Sequence, residues 1–369
     1  MRVLVCGGGV IGASIAYFLS RRGVEVTVIE RTGVACAASG KSGGFLALDW
    51  CDGGPLEALA RRSFDLHAEL AQEIDDTWGY RRLSTYSGYA NSGLAGHGRN
   101  AGDVDWISGD VRLDRRLGSP ETTAQVHPNA FTAAMMRTAQ AHGAALHMGQ
   151  VTGLTRSVHS DQVTGMEVEG ERIEGDAVVI AMGPWSILAS QWLPLPGVYG
   201  LKGHSLVFQT GAQVSPDALF LDYREAGGAS LAPEVFPRDD GTTYVCGLSG
   251  ESPLPVDPAD VAPDSGALDR LRRMCAHLSP VLAAAPIVAG QACYRPVTQD
   301  GLPLMGSVPG LRGAYVATGH SVWGILNAPA TGEAMAELIV EGGARTVDLS
   351  PFDPGRLRPF DPARLHSVD

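Results

Sequence analysis

Residues 2–12 read Arg2-Val-Leu-Val-Cys6-Gly7-Gly8-Gly9-Val10-Ile11-Gly12, and residues 24–30 read Val24-Glu-Val-Thr-Val-Ile-Glu30. Arg2–Cys6 is a short apolar run suited to a buried parallel strand. From Val10 to Arg22, Ile11, Ile15, Phe18 and Leu19 share one helical side, and Gly23 closes the helix. Val24, Val26 and Val28 alternate in a second strand that ends at Glu30. This is G-x-G-x-x-G between a strand and a helix, with an acidic residue closing the next strand. Gly7 permits the turn, Gly9 lets the backbone approach a pyrophosphate, and Gly12 lets helix and strand pack closely. The helix N-terminus offers unpaired N–H groups to phosphates. Glu30 stands 23 residues after Gly7, where a carboxylate accepts hydrogen bonds from ribose hydroxyls and repels a 2′-phosphate. An adenine dinucleotide other than NADP is expected; the motif alone does not separate NAD from FAD.

Outside this unit, composition sets bounds. The 369 residues are 44% apolar and 18% charged, with a net charge of −12, and suggest two domains. An acidic chain of this size is a poor candidate for sequence-independent binding to nucleic acid or to an anionic membrane. No apolar run approaches a membrane span. The apolar N-terminal run holds four glycines and leads into Arg21-Arg22, unlike a signal peptide. Six cysteines lie at 6, 36, 51, 246, 275 and 293 without a C-x-x-C, so reduced thiols in a cytoplasmic protein are expected. His142 and His147 lack partner ligands, and no metal site is expected. Lys41 and Lys202 are the two lysines, which disfavours Schiff-base chemistry. Ser39-Gly40-Lys41-Ser42 imitates the end of a P-loop. However, Ala35 stands where the P-loop glycine is required, and Gly43-Gly44 follow without a helical pattern.

Further along, Gly53-Gly54-Pro55 starts a helix expected to reach about Trp78. Residues 80–92 alternate like a strand, and 93–125 read as a long irregular excursion. Pro128 suits a first helical turn. Residues 145–181 read as short strands, and 200–250 include strands at 203–209 and 242–247. Arg238-Asp239-Asp240-Gly241 is a hairpin turn signal between those two strands. A helix is expected near 266–278. After the strand Ala314–Thr318, a glycine-bounded turn at Gly319–Gly324 leads into a helix from Ile325 to Glu341, whose N-terminus is available to an anion or to developing negative charge.

Five segments in order resemble the FAD-dependent family of D-amino acid oxidase, glycine oxidase and sarcosine oxidase. They are the glycine-rich unit with Glu30-Arg31; Ala37 to Leu46 around Ser39, Lys41, Ser42, Gly43 and Gly44; His127-Pro128-Asn129-Ala130-Phe131; Asp176 to Ser186, with Gly183 and Trp185; and Cys293-Tyr294-Arg295-Pro296 through Gly306, followed by Tyr315 to Ile325. The resemblance implies an α/β fold, with a Rossmann-like FAD-binding domain (1–79, 126–196 and 291–369) into which a β-rich substrate domain (80–125 and 197–290) is inserted. It implies FAD bound by Gly7, Gly9, Val10, Ile11, Gly12, Glu30, Arg31 and the Ser39–Gly44 loop. Gly183, Trp185, Cys293, Gly319, His320, Ser321, Trp323, Gly324 and Ile325 complete that set.

The activity implied is oxidation of a C–N bond in a small amine or amino acid by hydride transfer to flavin N5, giving an imine, with O2 or another acceptor reoxidising the flavin. The candidate catalytic residues are Arg295, whose fork suits a substrate carboxylate, His320 and His204. Cys293 occupies the register of a covalent flavin attachment point, or it is a small core hydrophobe. The lysine that sarcosine oxidase-type members place over the flavin aligns with Val245. Tyr223, Phe236 and Trp323 are read as either pocket or core residues. The rival readings are an NAD-dependent dehydrogenase and a flavin-binding protein without turnover. Oligomeric state is left open.

Overall fold

The structure, a computed structural model, describes residues 1–75, 77–91 and 104–366. The glycine-rich unit forms as its pattern predicts: strand Arg2–Cys6, helix Val10–Ser20 and strand Glu25–Glu30. These strands sit centrally in a six-stranded sheet. Its order is Leu304–Ser307, Ala314–Thr318, Ala177–Ile180, Arg2–Cys6, Glu25–Glu30 and Ala145–Met148. All neighbours are parallel except the edge strand Leu304–Ser307.

Successive strand residues point to opposite faces, and both faces are covered. Val3, Val5, Val26, Val28 and Val179 pack against the helices Val10–Ser20, Glu57–Glu73, Pro128–Ala141 and Gly324–Glu341. Leu4, Cys6, Ile29, Val178 and Ile180 pack against a three-stranded sheet formed by Val151–Arg156, Val163–Val168 and Glu171–Glu174. Burial on both faces explains why these strands read as continuous apolar runs. Each fully buried large aliphatic or aromatic side chain there contributes about 1.5–3 kcal/mol.

An eight-stranded sheet stands beside this layer. Its order is Ile287–Thr298, Val198–Gln209, Thr242–Gly250, Glu234–Pro237, Ala218–Arg224, Thr85–Asn91 and Val111–Gly118, with Ser230–Leu231 beside Ala218–Arg224. One face carries Leu206, Phe208, Leu219, Leu221, Val235 and Val245 into a core closed by the helix Ala267–Leu278. The opposite face looks toward the glycine-rich turn. A small sheet of Phe45–Ala47, Thr123–Gln125 and Arg81–Arg82 completes the strands.

Three expectations need correction. Within the excursion read over 93–125, Val111–Gly118 and Thr123–Gln125 are strands, while 93–103 lie outside the described residues. Val111 and Leu113 alternate into the core, and the dense Asp/Arg content of the other face hid that alternation. The first long helix is Glu57–Glu73 and stops short of Trp78, because the backbone turns extended at Ile74 (φ −95°, ψ 120°). The turn at Arg238–Gly241 joins Glu234–Pro237 to Thr242–Gly250, rather than joining the strand at 203–209. No helix among the described residues is long and apolar enough to cross a membrane.

Candidate active site

A cavity of about 490 Å³ lies between the C-terminal ends of the parallel strands and the free face of the eight-stranded sheet. At its nucleotide-sheet side, Gly7 ends the first strand and Gly9 caps the following helix without any side-chain cap. A Cβ on Gly12 would stand 2.0 Å from the Gly7 carbonyl oxygen, so only glycine permits this helix–strand approach. Glu30 Oε2 accepts the Gly8 N–H at 2.6 Å, and Oε1 accepts the Thr32 and Gly33 N–H groups at 2.8 and 3.2 Å. Each carboxylate oxygen has two lone-pair directions, so acceptor capacity remains for a ribose hydroxyl. Arg31 reaches away to Asp257 Oδ2 (2.8 Å) and the Val256 carbonyl (3.1 Å). The Val10 N–H donates to Ser39 Oγ at 2.9 Å, which ties the 37–44 loop to the helix start.

That loop passes under the eight-stranded sheet. Arg238 Nη2 donates to the Ser42 carbonyl at 2.8 Å, and Gln291 Nε2 donates to the Lys41 carbonyl at 3.3 Å. Gly43 lies against the Phe236 ring, where a Cβ would stand 2.3 Å from Cδ2. Phe236 is held by Phe45 (centroids 5.5 Å, 12° between planes) and Tyr244 (6.2 Å, 13°).

The two C-terminal signature segments meet here. Ser186 Oγ donates to Thr318 Oγ1 (2.9 Å), and Thr318 Oγ1 donates to the Gly183 carbonyl (3.0 Å). Trp185 lines the cavity and is fixed by its Nε1–H on the Pro255 carbonyl (2.8 Å). The helix Gly324–Glu341 begins at the cavity, and Trp323 caps it without a side-chain bond. Pro329 lies inside this helix and has no N–H for the Ile325 carbonyl. His67 Nε2 supplies the missing donor, 3.0 Å from the Ile325 oxygen and 3.2 Å from the Leu326 oxygen. The Ala330 N–H donates instead to Ser63 Oγ at 3.1 Å. Burial pushes His67 down to about 4, so the ring is neutral and its Nε2 carries the proton. These two side chains of the helix Glu57–Glu73 fix the first turn of Gly324–Glu341.

Of the residues singled out in the sequence, Gly7, Gly9, Val10, Ile11, Glu30, Arg31, Ser39, Ser42 and Gly43 line the cavity. So do Gly183, Trp185, His204, Cys293, Arg295, Gly319, His320, Ser321, Gly324 and Ile325. Gly12, Lys41, Gly44 and Trp323 are set back from it: Gly44 accepts the Val126 N–H at 2.9 Å, and Trp323 packs edge-on to Trp50 at 6.4 Å. Tyr223 and Val245 are core residues behind the eight-stranded sheet, and Phe236 is buried against Gly43 rather than lining the cavity. Strand alternation explains this, since Tyr244 and Cys246 face the cavity while Val245 faces the core. Lys202 is buried and donates to Asp264 Oδ1 at 2.5 Å.

His204 is buried, and its Nε2 accepts the Asp264 N–H at 3.1 Å. His320 Nε2 lies 3.1 Å from Thr331 Oγ1, and burial pushes this ring down to about 3, so it stays uncharged. Burial also pushes the Cys293 thiol up, against the pull of Arg295 and Lys41, which disfavours thiolate. Arg295 makes one long hydrogen bond, to Ser249 Oγ at 3.4 Å, and keeps the rest of its fork for the cavity.

Glu234, Tyr244 and Cys246 also line the cavity and were not singled out in the sequence. Glu234 becomes legible only once the strand Glu234–Pro237 is known and two-residue alternation is counted back from Phe236.

The arrangement fits a dinucleotide carrying a flavin. The glycine-rich turn opens on a helix start whose cap, Gly9, has no side chain, and Gly183 meets nothing within 4 Å of where a Cβ would be. His204 Nδ1, His320 Nδ1 and Ser42 Oγ belong to cavity-lining residues and are buried without a hydrogen-bond partner. The chain belongs to the FAD-dependent oxidoreductase family, whose model matches residues 2–338. The nicotinamide reading and the reading without turnover fall with that match; the cofactor is FAD.

Among individual proteins, the chain is 30% identical to an oxidoreductase of Schizosaccharomyces pombe, with 95% of this chain and 97% of that protein covered. It is also 30% identical to the glycine oxidase of Pseudomonas aeruginosa, with 96% and 99% covered. In fold it is similar to the crystal structure of glycine oxidase from Geobacillus kaustophilus: TM-score 0.79, 24% identity, 96% and 99% covered.

Proposed function

We propose that this protein oxidises a C–N bond in a small amino acid or related amine. Arg295 carries the reading: its guanidinium faces the cavity with one weak bond of its own, and its planar fork matches a carboxylate. Bound FAD supplies the two-electron acceptor at flavin N5. The protein's residues bind and orient. Arg295 takes the substrate carboxylate, so that the hydrogen on the adjacent carbon is presented to the flavin. The uncapped start of Gly324–Glu341 offers its dipole to the negative charge that develops as electrons arrive. Trp185 and the neutral His320 exclude water and hold the turn. The product is an imine, and O2 or another acceptor takes the electrons onward. Burial disfavours the Cys293 thiolate that attachment to the flavin requires, which supports FAD held by contacts alone. The six-stranded sheet with its helices serves as the FAD domain, and the eight-stranded sheet serves as the substrate domain.

The test is rapid anaerobic mixing of the holoprotein with glycine, sarcosine, and D- and L-alanine. Arg295→Lys keeps the charge but loses the fork, and is expected to lower the second-order rate of flavin reduction roughly 100-fold, about 3 kcal/mol. Unchanged reduction in that variant would remove Arg295 from the substrate site.

A further inference from the structure

Four charged side chains stand on the cavity wall among the described residues: Glu30, Arg31, Glu234 and Arg295. Backbone N–H groups of the dinucleotide turn engage Glu30, and Asp257 engages Arg31. Glu234 and Arg295 are otherwise uncommitted. They form no ion pair with each other. The one hydrogen bond of Glu234 is from the Cys246 thiol to Oε2, at 3.6 Å.

Both side chains reach over the same strand, Thr242–Gly250: Glu234 at Cys246, and Arg295 at Ser249. Residues three apart on a regular strand face opposite sides. Here the register against Val198–Gln209 shifts between Ser205↔Cys246 and His204↔Leu248, leaving Gly247 as the extra residue. That bulge puts Cys246 and Ser249 on one face. The two charged heads therefore lie over positions roughly 7–10 Å apart along the strand. An α-amino acid with a hydrogen bond of about 2.9 Å at each charged end spans roughly 8–9 Å.

We propose that Glu234 is the second substrate-recognition residue, which binds the substrate ammonium while Arg295 binds the carboxylate, and which takes up the ammonium proton before oxidation. An N–H bond of the ammonium breaks, its electron pair stays on nitrogen as the free amine, and the proton forms an O–H bond on the Glu234 carboxylate. The proposal rests on the amine reading above and narrows it to zwitterionic substrates.

The neighbours suit this role. The titratable groups on the same wall are Tyr244 and Cys246 on Thr242–Gly250, Cys293 and Arg295 on Ile287–Thr298, and His204 on Val198–Gln209. Burial pushes Tyr244 and Cys246 well up, and Cys293 up, so all three stay neutral near neutral pH. Among the described residues, Glu234 and Arg295 are then the acidic and basic side chains on this wall without a charged partner of their own. Burial also raises Glu234 above the usual carboxylate range, with Arg295 opposing, which brings the carboxylate closer to a proton acceptor's working range.

The test uses holoprotein of the wild type, Glu234→Gln and Glu234→Asp. The probes are acetate, which has a carboxylate but no amine, and whichever of the four amino acids bleaches the wild-type flavin. In Glu234→Gln, acetate should bind as tightly as in wild type or up to several-fold tighter, because a negative charge near Arg295 is gone. The amino acid should bind at least 10-fold more weakly. The acidic limb of the reduction rate should vanish, leaving a rate that rises only with the free-amine fraction at alkaline pH. Glu234→Asp should keep an acidic limb. Equal losses for acetate and amino acid, or an unchanged acidic limb in Glu234→Gln, would overturn the assignment. If Glu234→Gln does not fold, loss of the acidic limb in Glu234→Asp would overturn it instead. If no amino acid bleaches the wild-type flavin, the amine reading itself falls.

Discussion

Gly43 shows how much a single atom decides at this site. A Cβ there would stand 2.3 Å from the Phe236 ring, which is stacked between Phe45 and Tyr244 and has little room to yield. Gly43→Ala is expected to destabilise the protein by about 1–3 kcal/mol and to weaken FAD retention, measured by thermal unfolding and by flavin content after dialysis. Wild-type values for both would show that the loop shifts freely. The sequence reading reached Glu30 through a local motif whose spacing has a physical reason, and Gly43 and Arg295 through segments that resemble the oxidase family. It missed Glu234, which comes to the cavity wall when two strands joined by a hairpin bring it to Cys246, and when a bulge at Gly247 turns Ser249 to the same face. A bulge leaves no mark in composition or alternation strong enough to find in advance. For Tyr223 and Phe236 the sequence left pocket and core open, since an aromatic side chain looks the same in both, and the fold puts both in cores.

At the level of elements, the helix Gly324–Glu341 was legible from its glycine bounds and apolar spacing, but its internal Pro329 was not reconciled by the sequence. Its repair comes from 258 residues away, where His67 donates to the freed carbonyls. His67→Leu leaves two buried carbonyls without that donor and is expected to cost about 1–3 kcal/mol, read as a lower denaturation midpoint at unchanged m-value. A wild-type midpoint would mean the carbonyls find another donor. The same histidine sets a pH dependence. In the unfolded chain His67 titrates near its ordinary value of 6.5, while burial holds it at about 4 in the fold. Between those values the unfolded state binds more protons, so stability falls as pH drops from about 6.5 toward 4. His320, held at about 3, extends the loss to lower pH. In His67→Leu the slope between pH 6.5 and 4 should be shallower than in wild type; an equal slope would place the titration elsewhere.

Across the whole molecule, two sheets enclose one cavity, and the chain crosses between them several times. The order of segments along the chain announced the dinucleotide layer, because parallel strands covered on both faces leave continuous apolar runs. The β-rich layer was harder to read. Val111–Gly118 carries charge on its outer face, and Ile287–Thr298 pairs along its length with Val198–Phe208, a partner about 90 residues earlier. That long strand carries Arg295 and Cys293 to the cavity, so the substrate wall was visible as a motif before it was visible as a sheet. Because burial pushes the Cys293 thiol up and disfavours its thiolate, acid precipitation should release the yellow colour to the supernatant, whereas colour in the pellet would mean a covalent bond.

The most direct measurement is the visible spectrum of the purified holoprotein, recorded before and after anaerobic addition of glycine, sarcosine, and D- and L-alanine. An oxidised flavin spectrum that bleaches with at least one of them, with release of ammonia or methylamine, is the expected result. A flavin that all four leave oxidised, while dithionite bleaches it, would contradict amino-acid oxidation at this site.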